Sequence, residues 1–236
     1  MSPLEGVGRN KVRPQGQAPQ QKEKKMRERY EEELRNLNAS IIKMGKMIEV
    51  SIESSMVALT GENIEAAKQV EKNDEGIDAM ERDIESQCMR LLLQQQPMAT
   101  DLRLITAALK MITDMERIGD HAVDVADLVL HLPNCKYGKM NEITKMSKEI
   151  IQMLHDAVQS YIEKDYDMAK NVIAHDDVID DLYHTIKKDL VEKIRQTEEG
   201  ETILDYLLIA KYIERIGDHT THIAEWVIYA LTGNKE

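Results

Sequence analysis

Glu116-Arg117-Ile118-Gly119-Asp120-His121 returns unchanged 98 residues later as Glu214-Arg215-Ile216-Gly217-Asp218-His219. On a helix, residues i and i+4 share a face, so each copy stacks two carboxylates, Glu116 over Asp120 and Glu214 over Asp218. Like charges at that spacing cost a few tenths of a kcal/mol on an exposed helix. A glycine inside a helix costs about 1 kcal/mol relative to alanine. A chain that accepts both penalties twice has a use for the arrangement.

Outward from the hexamers, a second match joins the halves. Asn73-Asp74-Glu75-Gly76-Ile77-Asp78-Ala79-Met80 aligns with His175-Asp176-Asp177-Val178-Ile179-Asp180-Asp181-Leu182 at an offset of 102. The repeat therefore covers whole multi-helix units, and its period is too long for a solenoid. Apolar residues at three- and four-residue steps predict six helices. The first runs from Met26 to Leu59 and breaks at Thr60-Gly61, and the second runs from Asn63 to the approach of Pro97. The third opens at Met98 or Thr100 and stops at Leu132-Pro133, after which the pattern restarts at Ile143. A turn at Lys164-Asp165 precedes a fifth helix to Ile194, and Gly200 separates it from a sixth over Thr202–Leu231.

The fold class read from this is all-α: two tandem, sequence-related three-helix bundles, six helices running antiparallel through short connections. The divisions are a disordered tail over 1–25, a first repeat over 26–133 and a second over 138–232, joined around 133–140.

Composition agrees. Aromatics are 4% of the 236 residues, phenylalanine is absent and methionine numbers 14, which suits helix-on-helix packing. The net charge is −12, yet the first 29 residues hold eight Lys or Arg against three acids. The remainder is strongly acidic, which argues against nucleic acid and for cations or basic protein partners. No 18-residue apolar run is present, and the basic N-terminus has no apolar segment behind it, so neither membrane insertion nor secretion is expected. Cys88 and Cys135, in no metal spacing, are expected as reduced thiols.

The candidate site follows from the two alignments. Asp74 with Asp78, and Asp176 with Asp180, add an acid-x-x-x-acid pair on each middle helix to the pair on each last helix. If those helices are neighbours, four carboxylates converge in each half, and a cation turns their repulsion into attraction. Any single pair also fits a solvated face of an acidic helix. Recurrence at matched positions favours a metal or ligand site, because exposed charges have no register to keep. All-oxygen donors suit Mg²⁺, Ca²⁺, Mn²⁺ or iron.

Asp124, Asp127, His222 and Glu225 continue the last-helix faces, as auxiliary ligands or as ordinary surface residues. His121 and His219 lie about 140° from the first glutamate of their pair and are expected in supporting positions. Arg117 and Arg215 are expected to pair with acids on another helix, and Gly119 and Gly217 to mark close helix approach. The enzymatic alternative is a carboxylate-bridged metalloenzyme. The di-iron oxidase pattern, however, uses Glu-x-x-His on two helices, and no repeated Glu-x-x-His occurs here. No nucleophile–base set with repeat support, phosphate-cradling loop or dinucleotide motif is present.

Gln96-Pro97-Met98-Ala99-Thr100-Asp101-Leu102-Arg103, leading to Glu116-Arg117-Ile118-Gly119-Asp120-His121-Ala122, resembles the PhoU family of phosphate-signalling regulators. Tyr212-Ile213 with the second hexamer and Ile223-Ala224-Glu225 resembles it again, so that the likeness spans about 26–232. The resemblance implies metal ions as cofactors, multinuclear iron among them, with Mn, Mg or Ca also admitted. By position the ligands would be Asp74, Asp78, Glu116 and Asp120, and Asp176, Asp180, Glu214 and Asp218. It further implies a cytoplasmic, non-catalytic homodimer linking the ATPase subunit of a phosphate ABC transporter to a sensor histidine kinase. The function implied is negative regulation of phosphate uptake and of the phosphate-starvation response.

Overall fold

The computed structural model describes residues 17–61, 63–95, 99–132 and 141–234. Six helices account for nearly all of them: α1 (Gln17–Gly61), α2 (Ile64–Gln95), α3 (Ala99–His131), α4 (Asn141–Glu163), α5 (Tyr166–Ile194) and α6 (Gly200–Thr232). The joint over 133–140, with Cys135, and the first sixteen residues lie outside the described residues.

Two boundaries differ from expectation. Helix α1 begins at Gln17, inside the stretch read as a disordered tail. Its first turns lack an apolar stripe, which is why periodicity missed them. They are rich in good helix formers, and Lys24–Glu28, Arg27–Glu31 and Arg29–Glu33 form i,i+4 ion pairs along them. Gly200, expected to separate helices, is the first residue of α6. Elsewhere the local chemistry explains the ends. Lys164 takes a left-handed φ of 58° in the α4–α5 turn, and the Asp165 side chain caps α5 by accepting from the Met168 amide at 2.9 Å. Helix α6 stops at Gly233, whose φ of 83° closes a left-handed cap on the Tyr229 carbonyl.

The width of each apolar stripe decides where its helix lies. Helix α5 buries a narrow row, Ala169, Val172, Ile179, Ile186 and Leu190, and among the described residues it meets α4 and α6 alone. Helix α3 buries adjacent positions throughout, such as Leu104-Ile105, Ala107-Ala108, Met111-Ile112 and Ile118-Gly119, and is covered by α1, α2 and α6. A stripe that wide must be covered from more than one side. The result is a closed ring of four helices, in which α1 touches α3 and α4 while α6 touches α3 and α4. Helix α2 lies over the α1–α3 side and α5 over the α4–α6 side.

The repeats therefore share one apolar core, running from Leu37 and Ile41 of α1 through Met111 of α3 to Tyr206 and Ile209 of α6. Polar contacts reinforce the union. The Tyr161 hydroxyl, on α4, donates to the Leu104 carbonyl of α3 at 3.1 Å, and burial raises its pKa so that it stays a donor. Tyr161→Phe is expected to lower stability by about 1 kcal/mol, read as the shift in urea midpoint. An unchanged midpoint means that this bond contributes nothing net. Cys88 is fully buried and free, and burial raises its thiol to about 12, which makes it inert at neutral pH. Among the described residues no helix is long and apolar enough to cross a membrane.

Candidate metal centres

Each acid pair on a middle helix faces an acid pair on the adjacent last helix, α2 against α3 and α5 against α6. The hexamer glycines set the approach, as expected. A Cβ at Gly119 would meet Ile77 at 3.2 Å and the Asp74 carboxylate at 3.4 Å. A Cβ at Gly217 would meet the Asp176 carboxylate and Ile179, both at 3.2 Å. The missing side chain lets an acid of the middle helix settle over the backbone of the last one. Both hexamers place glycine just before their second acid for this reason.

Burial first, and neighbouring charge second, raises one or two carboxylates in each half. Asp74 is raised above the usual aspartate range by burial, then by the charges of Asp120 and Asp78. Burial also raises Glu116, with Asp120, Glu81 and Asp78 adding to the shift and Arg117 opposing it. In the second half, burial with Asp218, Asp180 and Glu214 lifts Asp176 to about 6. One oxygen of Asp74 is buried with no hydrogen-bond partner. Surplus negative charge, half-buried, with an orphaned oxygen and no nitrogen or sulfur among the donors, fits a hard or borderline cation.

Among the described residues, neither quartet brings three donor atoms within 4.8 Å of one another. Side-chain cations partly compensate. Arg117 pairs with Asp120 at 2.8 Å and Glu116 at 3.5 Å, on its own helix and not across to another as expected. The flexible guanidinium folds back one turn, because the acids nearest in sequence carry the uncompensated charge. Arg82 reaches Asp78 at 3.4 Å. Arg215 is exposed and makes no ion pair among the described residues; instead Lys211 binds both oxygens of Glu214.

The two quartets are not copies. Glu81 joins the first, held up by burial and by Asp78 and Glu85, while a Thr113 hydrogen bond pulls the other way. It continues the Asp74–Asp78 stripe by one turn, a signal available in the sequence but without support from the repeat. Tyr183 and Lys211 occupy the matching positions of Glu81 and Thr113 in the second half, and the Lys211 ammonium lies 5.4 Å from the Tyr183 ring. The first half thus has an extra acid where the second has a tyrosine, and the second an extra base where the first has a threonine.

The histidines turn elsewhere. His121 and His219 face each other across α3 and α6, rings 5.5 Å apart, at the seam between the repeats. His121 pairs with Asp124 at 3.1 Å and lies against Tyr212. His219 pairs with Asp114 at 2.9 Å. Of the positions read as auxiliary ligands, Asp124 and His222 belong to this seam, and the Asp127 carbonyl bonds His131. Spacing along one helix placed the histidines off the acid stripe; only packing shows what they meet.

The sequence matches the PhoU domain over residues 41–129 and again over 143–227. A protein of Clostridium acetobutylicum described as a "Phosphate-specific transport system accessory protein PhoU homolog" is 36% identical over 209 residues, 87% of this chain and 95% of that protein. The crystal structure of PhoU from Pseudomonas aeruginosa superposes with a TM-score of 0.80 at 32% identity, covering 87% of this chain and all of that one. That of the phosphate transport system regulatory protein PhoU from Streptococcus pneumoniae gives 0.82 at 26% identity, covering 88% and 99%. With both domain matches falling on the duplicated three-helix units, and relatives aligned over nearly their whole length, this chain belongs to the PhoU family.

Proposed function

We propose that this protein is an accessory regulator of phosphate-specific transport. It acts without catalysis, as a metal-binding helical adaptor that restrains phosphate uptake and the starvation response. The observation that carries the reading is family membership together with both acid quartets assembled on neighbouring helices. In it, Asp74, Asp78, Glu116 and Asp120, and Asp176, Asp180, Glu214 and Asp218, hold metal ions, iron or another cation suited to oxygen donors. A bound cation offsets the mutual repulsion of each quartet and ties α2 to α3 and α5 to α6. Arg117 and Lys211 neutralise one side of each quartet.

The adaptor role draws on the surface. Met89, Leu93 and Leu102 of the first half, and Val191, Ile194, Leu204 and Leu208 of the second, are exposed near the ends of matching helix pairs. Apolar residues in such groups are suited to cover by another protein. On this reading the partners are the transporter ATPase subunit, the sensor kinase and a second copy of the chain.

Deleting the gene is expected to release alkaline phosphatase expression in high phosphate, and restoring it to re-establish repression. Repression that survives deletion counts against the reading. Metal-dependent turnover that Glu116→Gln and Glu214→Gln abolish would instead point to an enzyme.

A further inference from the structure

We propose a third metal site, chemically unlike the acid quartets, formed by Asp114 of α3 with His219 and His222 of α6. Among the described residues this is the group whose three potential ligand atoms all lie within 4.8 Å of one another. His219 Nδ1 is 2.9 Å and His222 Nδ1 3.5 Å from the same oxygen of Asp114. A tetrahedral ion with bonds near 2.0–2.1 Å separates its donors by about 3.3 Å, so the two distances bracket that value. The set is assembled before any ion arrives, since both helices belong to the central ring and α6 presents the histidines one turn apart.

Access is available from one side. The side chains of Asp114 and His219 are 16% and 23% exposed, whereas that of His222 is 49% exposed. Two imidazoles and a carboxylate select a borderline first-row ion of the Zn²⁺ class, unlike the oxygen-only quartets. The ion replaces the proton shared between His219 and Asp114, and it joins the first repeat to the second.

Among the described residues the site exists once, which separates it from the duplicated machinery. At the repeat offset of 98, Asp114, His219 and His222 correspond to Tyr212, His121 and Asp124. There the single imidazole already pairs with Asp124 and lies against the Tyr212 ring. Tyrosine in place of the aspartate and aspartate in place of the second histidine leave no matching triad. The third site is a product of divergence between the halves.

The test uses the full-length chain, stripped with chelator, loaded with Zn²⁺ and dialysed. Wild type is expected to retain about one Zn²⁺ per chain more than His222→Ala and more than Asp114→Asn. Circular dichroism should show all three folded, since His222 is half-exposed and Asp114→Asn preserves shape. Zn²⁺ is also expected to raise the melting temperature of wild type more than that of either variant, because the ion ties α3 to α6. Repeating the comparison in an Asp78→Asn/Asp180→Asn background, with the quartets weakened, should leave the difference of one ion in place. Equal Zn²⁺ retention and equal thermal shifts in wild type and both variants would overturn the proposal. So would a difference that vanishes in the weakened background, since the ion would then belong to the quartets.

Discussion

Gly217→Leu is expected to lower stability by about 3 kcal/mol, the upper part of the range for overpacking a well-fitted interior. Even the first carbon of a new side chain lands 3.2 Å from both the Asp176 carboxylate and Ile179. Ile179 is fully buried, so it has no open space in which to yield. The rest of a leucine must therefore push α5 off α6. Gly217→Ala is the control. Its helix propensity gains about 1 kcal/mol, which offsets much of the tight contact, and a change within about 1 kcal/mol of wild type is expected. Urea midpoints of the two variants, at unchanged m-value, are the measurement. Leucine tolerated as well as alanine would show that the helices do not meet so closely. In metal-loaded protein, Gly217→Leu should also reduce binding at the second quartet and spare the first, because the contact is local.

Asp176→Asn is expected to move metal binding and metal-free stability in opposite directions. Burial and three neighbouring carboxylates hold Asp176 at about 6, against an ordinary value of 3.8. The unfolded chain gives up this proton near pH 4 and the folded chain only near pH 6. Between those values the folded state holds more protons, so its stability falls as pH rises through the window. The full penalty is present above pH 6 and disappears below pH 4. Asparagine removes it. The metal-free variant should exceed wild type by about 1 kcal/mol at pH 7, after allowing for solvent screening of a partly exposed group, and match it at pH 3.5. Metal affinity should fall by more than the roughly 10–100-fold that loss of an orienting partner costs. Urea melts at the two pH values, with elemental analysis of protein isolated without chelator, read both effects. An Asp176→Asn variant less stable than wild type at pH 7 would mean that the quartet is not a repulsive cluster.

These opposed effects explain why the acid pairs stood out in the sequence. A residue that costs stability and still recurs in register, as Asp74 and Asp78 do against Asp176 and Asp180, stands out in one chain read against itself. Helix number and order were legible too, because buried faces repeat at 3.6 residues and breaks fall at Gly61 and Lys164-Asp165. The start of α1 was not legible, since its first turns rest on exposed ion pairs without an apolar stripe. Glu81 lay in plain view at the right spacing but was masked by Tyr183, its diverged partner.

By itself the sequence determined the helices, the duplication, the eight acids and the glycines that admit them, all of which follow from spacing within one or two helices. Tertiary structure alone decided the rest. It closed α1, α3, α4 and α6 into one ring around a shared core. It also turned the hexamer histidines away from the carboxylates and toward each other, where His219 meets Asp114 from the opposite repeat. Periodicity specifies which face a side chain occupies. What that face meets depends on contacts between residues a hundred positions apart, and only packing brings those together.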